Sequence, residues 1–171
     1  NHIGMIGGSS GGHLAAMVGL TGNDPNFDPK QPYGGVSTKV QAVVDMYGVT
    51  NLLTREGTSA SGEPNGMLKD GTAPRVLGCT RTECPELWKQ ASPVNHITKD
   101  APPFLILHGT ADTTVDYKQS TEFAQKLSEI DIENHIELIK GAQHTFDLES
   151  SGTDLRKMVI GFFESKLRPG K

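Results

Sequence analysis

One short stretch limits the fold more than anything else in the chain. Gly7-Gly8-Ser9-Ser10-Gly11 is a G-x-S-x-G pattern set between an apolar run, Ile3-Gly4-Met5-Ile6, and a helix-like run from Gly12 to Val18. A strand that turns sharply into a helix brings backbone against backbone, and glycines flanking the serine remove the Cβ atoms that would collide there. The turn lifts the serine hydroxyl out of the sheet. It also leaves backbone N–H groups at the helix N-terminus, where they can stabilise developing negative charge. A phosphate loop would need Gly-Lys-Ser/Thr where this chain has Gly11-Gly12-His13, and the glycines at 4, 7, 8, 11 and 12 do not give G-x-G-x-x-G. A plain glycine-rich turn stays open on the motif alone, so the rest of the chain has to decide.

Four runs read as strands: residues 3–7, 40–47, 103–109 and 135–140. The second and third contain Ala42-Val43-Val44 and Phe104-Leu105-Ile106-Leu107, continuous apolar stretches of the kind found in parallel strands covered on both faces. Helical runs alternate with them. Residues 13–20 follow the serine turn, residues 118–129 carry Phe123 and Leu127 with Ile130 just beyond, and residues 154–167 carry Leu155, Met158, Val159, Phe162, Phe163 and Leu167. The last is the clearest apolar stripe, with Asp154 near its positive end. Alternation of this kind predicts an α/β fold: a mostly parallel sheet of about four strands with flanking helices, in one domain over residues 1–171. Between residues 50 and 102 the periodicity fails, and Gly, Ser, Thr, Pro and Asn dominate residues 57–74. That excursion, broken by a short helix at Pro85–Gln90, leaves the sheet from a strand's carboxyl end, where loops carry function.

A net charge of −4 with no basic cluster argues against nucleic acid as a partner. No apolar run approaches the roughly 20 residues of a membrane helix. Cys79 and Cys84 are close enough in sequence for a disulfide closing a short loop; free thiols are the alternative, and a metal pair would want two further soft ligands nearby. A disulfide would favour an exported parent protein.

A nucleophilic serine needs a base, and the base needs an acid to hold its tautomer. In an α/β sheet both belong on loops at strand carboxyl ends. Asp112 follows the third strand in His108-Gly109-Thr110-Ala111-Asp112, and His144 follows the fourth in Gly141-Ala142-Gln143-His144-Thr145-Phe146. Asp45 and Asp116 are the alternative acids. His2, His13, His96, His108 and His135 lie at strand starts, within elements or on the excursion, where packed or exposed roles are usual, and His108 reads as structural. A metal cluster of His108, Asp112 and His144 would lack a helix presenting a two-histidine zinc face.

Taken jointly, Gly7 to Ala15, Ala91-Ser92-Pro93-Val94, Ala101 to Asp112 and Gly141 to Phe146 resemble the C-terminal half of an α/β-hydrolase of the esterase/lipase group. Within it they are most similar to the carbohydrate-esterase-like branch of acetyl-xylan and feruloyl-type esterases. The resemblance implies Ser9 as nucleophile, His144 as general base, Asp112 as its orienting acid and the Ser10 N–H as one oxyanion donor. It implies no cofactor, and a small-molecule or carbohydrate ester as substrate. Two departures stand out. Asp116 follows Val115 where such enzymes often have proline, and the His-Gly-Gly-Gly-type segment that precedes the nucleophile is not in this sequence. The expectation is a serine ester hydrolase represented by a fragment of weak activity, associating as a homo-oligomer or with its missing N-terminal half. Its rivals are a catalytically incompetent fragment and a peptidase or aryl-formamide hydrolase of the same fold.

Overall fold

The computed structural model describes residues 2–28, 30–55, 72–149 and 154–168. The polar stretch at 56–71 and the tail at 169–171 lie outside the described residues, so the reading of 57–74 as irregular is addressed only from Thr72 onward. The elements are β1 (Gly4–Gly8), α1 (Ser10–Thr21), β2 (Ala42–Met46), α2 (Ala73–Leu77), α3 (Pro85–Gln90), a 3₁₀ turn at Pro93–His96, β3 (Phe104–Gly109), α4 (Lys118–Ser128), β4 (Asn134–Ile139) and α5 (Arg156–Leu167). The four strands form one parallel sheet in chain order.

Side-chain alternation divides the continuous apolar runs between two cores. Val43, Phe104 and Ile106 face α1 and α4, packing with Ala15, Ala16, Leu20, Phe123 and Leu127. Val44, Leu105 and Leu107 face the opposite way, with Ile139, Leu155 and Val159. Phe104 and Phe123 meet edge to face with ring centroids 5.1 Å apart, and both are fully buried. Each contributes about 2–3 kcal/mol by removal from water. The stripe on α5 is less buried than its sequence suggests. Only Val159 within the helix is buried, while Met158, Phe162 and Phe163 are half-covered against the second core. Ile3, just before β1, and Ile6 within it are exposed.

Sheet register explains why the carboxyl ends make a platform. Gly8 pairs with Met46 and Met46 with Leu107, so the next residues, Ser9, Tyr47 and His108, fall in one row. The excursion after β2 returns as α2 and α3, and Val49, Leu52, Ala73, Trp88 and Val115 form a third small core beside that row. Neither α2 nor the 3₁₀ turn is legible from periodicity; α2 spans five residues, of which Ala73 alone is buried.

The two glycines that flank the serine differ in what they do. A Cβ on Gly7 would strike the carbonyl of Gly11 and the nitrogen of Gly12, whereas a Cβ on Gly11 meets nothing within 4 Å. Close backbone approach therefore requires glycine at position 7 and not at 11, which corrects the symmetrical expectation. Gly7→Ala is expected to cost about 2 kcal/mol or more by overpacking. Gly11→Ala, inside α1, is expected to be neutral or to stabilise by up to about 1 kcal/mol through helix propensity. Denaturant unfolding of the two variants checks the contrast.

Candidate active site

Ser9 stands between β1 and α1 with φ 55° and ψ −119°, left-handed backbone that a non-glycine residue adopts only when its surroundings enforce it. The enforcement is visible: Ser9 N–H donates to Met46 O at 2.9 Å, and its carbonyl accepts His13 N–H at 3.0 Å to begin the helix. Ser10 is the first residue of α1, a position whose N–H has no intrahelical acceptor.

Asp112 and His144 arrive from the loops after β3 and β4, which are laced together. Ala111 N–H donates to Ala142 O at 2.9 Å, and Gly141 N–H to Thr110 Oγ1 at 2.9 Å. His144 Nδ1–H donates to Asp112 Oδ2 at 2.6 Å, and Ser9 Oγ–H donates to His144 Nε2 at 2.9 Å. The structure thus brings Ser9, Asp112 and His144 into one hydrogen-bonded line with the imidazole tautomer fixed by the carboxylate. Burial pushes the Asp112 carboxyl up, but donors from His108, His144, Val115 N–H and Thr114 N–H overcome it and hold the group well below the usual carboxylate range. Asp112 is therefore held as an anion, with the His144 ring nitrogen Nδ1 directed at it.

The two alternative acids lie elsewhere. Asp116 accepts Lys118 N–H at 2.9 Å ahead of α4. Asp45 is fully buried beneath the serine turn, its Oδ1 accepting Gly48 N–H at 3.0 Å and its Oδ2 unpartnered. Gly12 and Gly48 close over it, since a Cβ on either would run into Oδ1. Burial lifts the Asp45 carboxyl to about 6, against the opposing pull of His108 and the Gly48 N–H. Among the other histidines, His96 lies 2.6 Å from Gln90 O and His135 lies 3.6 Å from Glu137. No group of three or more His, Cys, Asp or Glu side chains among the described residues is arranged to hold a metal ion.

Sequence reasoning passes over Tyr47, and it gives His13 and His108, which also border the site, only packed or exposed roles. Tyr47, with φ 44°, packs its ring 5.0 Å from that of His144 and donates its hydroxyl to Phe146 O at 3.1 Å, bracing the histidine loop. Its signal was its place at the carboxyl end of the second strand. His13, four residues after Ser9, donates Nδ1–H to Val49 O at 2.8 Å, and burial lowers its pKa. His108 Nε2 lies 3.2 Å from Asp112 Oδ2, closer to the chemistry than a structural histidine need be.

Ser9 opens onto a mainly apolar cleft of about 330 Å³, walled by His13, Leu14, Leu52, Val76, Leu77 and Val115 among others. Its outer wall is α2, and the segment behind α2 is secured by a Cys79–Cys84 disulfide. Trp88 Nε1–H donates to Cys79 O at 3.0 Å, and Arg81, stacked 5.6 Å from the Trp88 ring, donates to Leu53 O at 2.9 Å and Arg55 O at 3.1 Å.

Residues 1–127 match the family model described as BD-FAE. The chain is 36% identical over 150 residues to Esterase LipC of Mycobacterium tuberculosis, covering 86% of this chain and 36% of that protein. It is 35% identical to the Probable carboxylic ester hydrolase LipM of the same organism, covering 87% of this chain and 33% of that protein. The chain therefore spans about a third of the length of these curated relatives. Among solved structures, a truncated form of a carbohydrate esterase from gut microbiota superposes with TM-score 0.76 at 26% identity, covering 97% of this chain and 60% of that one. Esterase Est2 of Thermogutta terrifontis gives TM-score 0.70 at 26% identity, with 98% and 56% covered. The parallel sheet with its flanking helices is thus a partial α/β-hydrolase fold.

The buried Asp45 carboxyl gives a pH test of this architecture. Its folded-state pKa, about 6, is raised above the ordinary 3.8. The folded state accordingly holds stability at low pH that is lost as the pH rises from that ordinary value through about 6. At neutral pH the loss amounts to about 3 kcal/mol. Asp45→Asn is expected to melt above the parent near neutral pH, with the gap closing toward about pH 4. A gap independent of pH in thermal melts would show that Asp45 is not ionising in place.

Proposed function

The chain belongs to the BD-FAE family, within the esterase-like α/β-hydrolases, and from that premise we propose that it is a serine-dependent carboxylic-ester hydrolase. The observation that carries the reading is the line from Ser9 Oγ through His144 to Asp112, at 2.9 and 2.6 Å. Ser9 Oγ attacks the ester carbonyl carbon while its proton passes to His144 Nε2, which the Asp112 carboxylate keeps in the accepting tautomer. The carbonyl oxygen gains negative charge, and the donor we assign to it is the N–H of Ser10, the first residue of α1, with the helix dipole in support. His144 then returns the proton to the departing alcohol. Water, deprotonated by the same Nε2, releases the acid from the acyl-Ser9.

The cleft supports an ester with an apolar group on the side of Leu14, Leu52 and Val76. The other side of the ester is free to be a small alcohol or a sugar, the second in keeping with the carbohydrate esterase that shares this fold.

A fluorophosphonate probe is expected to label Ser9 in the folded chain, read by peptide mass spectrometry, and Ser9→Ala to abolish labelling. His144→Ala is expected to slow hydrolysis of a nitrophenyl ester by about 100-fold or more. A folded chain that leaves Ser9 unlabelled would overturn the reading.

A further inference from the structure

Asp112 Oδ2 is held from two directions. On one side His144 Nδ1 lies at 2.6 Å; on the other His108 Nε2 lies at 3.2 Å. His108 is completely buried, and its Nε2 is also 2.9 Å from Val115 O. A carboxylate oxygen and a carbonyl oxygen can only accept, so Nε2 carries the proton, donating to Val115 O and facing Asp112 Oδ2 at 3.2 Å. In that tautomer Nδ1 is an acceptor, and Ser120 Oγ, 2.6 Å away and equally buried, donates its hydroxyl to it. The neutral Nε2–H tautomer satisfies every contact. The result is a continuous chain, Ser120 to His108 to Asp112 to His144 to Ser9, with two Ser–His pairs sharing one carboxylate. One pair opens on the cleft, and the other is sealed under α4.

We propose that the His108–Ser120 pair is a positioning device for the reactive triad, holding the Asp112 carboxylate at the angle from which Oδ2 meets His144 Nδ1. The proposal rests on the reading of Ser9, His144 and Asp112 as the reacting set. It goes beyond it in assigning work to two residues that touch neither substrate nor Ser9. The physical ground is that a carboxylate can turn about its Cβ–Cγ bond. Thr114 and Val115 N–H groups, at 2.8 and 2.9 Å, restrain Oδ1 only. Without His108, Oδ2 is steered by His144 alone, the one group whose orientation the carboxylate is supposed to set. Ser120 in turn fixes the His108 ring, because a ring flip would offer Nδ1–H to the carboxylate with the wrong reach. Supporting groups of this kind are held to narrow tolerances, and displacements of about 1 Å can cost about 100-fold in rate.

The test compares His108→Leu, His108→Gln and Ser120→Ala with the parent chain. Glutamine can place an N–H close to the position of Nε2, while leucine fills space and donates nothing. The readouts are the maximal rate and half-saturating concentration of Ser9 labelling by a fluorophosphonate. A third readout is the low-field proton resonance of His144 Nδ1–H, assigned by its loss in His144→Ala. Expected for His108→Leu is a maximal rate lower by about 10- to 100-fold. Its half-saturation is expected to hold and the low-field resonance to move upfield or broaden. His108→Gln should recover most of the rate and the resonance. Ser120→Ala, which removes a single oxygen, should give the same pattern in smaller measure and carries the test if His108→Leu does not fold. Parent-like rate and resonance in His108→Leu or, failing that variant, in Ser120→Ala overturn the proposal, as does a His108→Gln variant no better than leucine. Those outcomes leave the triad reading intact. Absence of Ser9 labelling in the parent chain defeats the triad reading itself.

Discussion

A carboxylate removed from water must find donors or give up its charge, and the candidate site is organised around how Asp112 solves that problem. Four N–H groups converge on it: two from the backbone of its own loop and one from each of two histidines. These donors answer to three requirements of the fold. The backbone pair shapes the turn between β3 and α4, His108 ties the strand end to α4 through Ser120, and His144 draws the loop after β4 inward. The depressed pKa of Asp112 is the electrostatic statement of the same fact, and it contrasts with Asp45 a few residues along the sheet. Asp45 receives one N–H donor and is lifted to about 6. Two buried aspartates at the carboxyl ends of neighbouring strands are thus driven in opposite directions by the number of donors that reach them.

The serine turn solves a steric problem with the same economy. Left-handed backbone at Ser9 is matched by left-handed backbone at Tyr47 and Thr145, all three close to the histidine. Positions of this kind cost free energy that the surrounding sheet must over-determine. Here the surrounding contacts are identifiable: Met46 O accepts the Ser9 N–H, and the Tyr47 hydroxyl is anchored on the carbonyl of Phe146. The structure locates the strain where side chains have to be aimed, at the ends of strands rather than within them.

Much of this was legible from residue order because the physics is local. Continuous apolar runs mark β2 and β3 as strands covered on both faces, and a serine, an aspartate and a histidine placed just after β1, β3 and β4 fall on one edge of a parallel sheet. What escaped depends on contacts across the fold. His108 looks structural in sequence because nothing local shows that its ring will share an oxygen with His144. Gly11 looks as necessary as Gly7 because the motif is written symmetrically, although only Gly7 faces the backbone of the next turn. The helix α2 left no periodic trace, being five residues long with proline at its start and a single buried side chain. Ile6 lies exposed on β1, a side-chain environment that a sequence run cannot report.

The wall formed by α2 has a different bearing from the rest of the site. Reacting groups hang from strand ends, where any change disturbs the sheet, but Val76 and Leu77 stand on a short helix held from behind by a disulfide, an indole and an arginine. Under the proposed function, that separates the groups assigned to bond breaking from the wall that would meet the incoming ester. The α2–α3 segment is in effect an interchangeable faceplate. Its residues can vary in size and polarity while its fastening keeps it in place, so related chains could diverge in what they accept without renegotiating the machinery beneath.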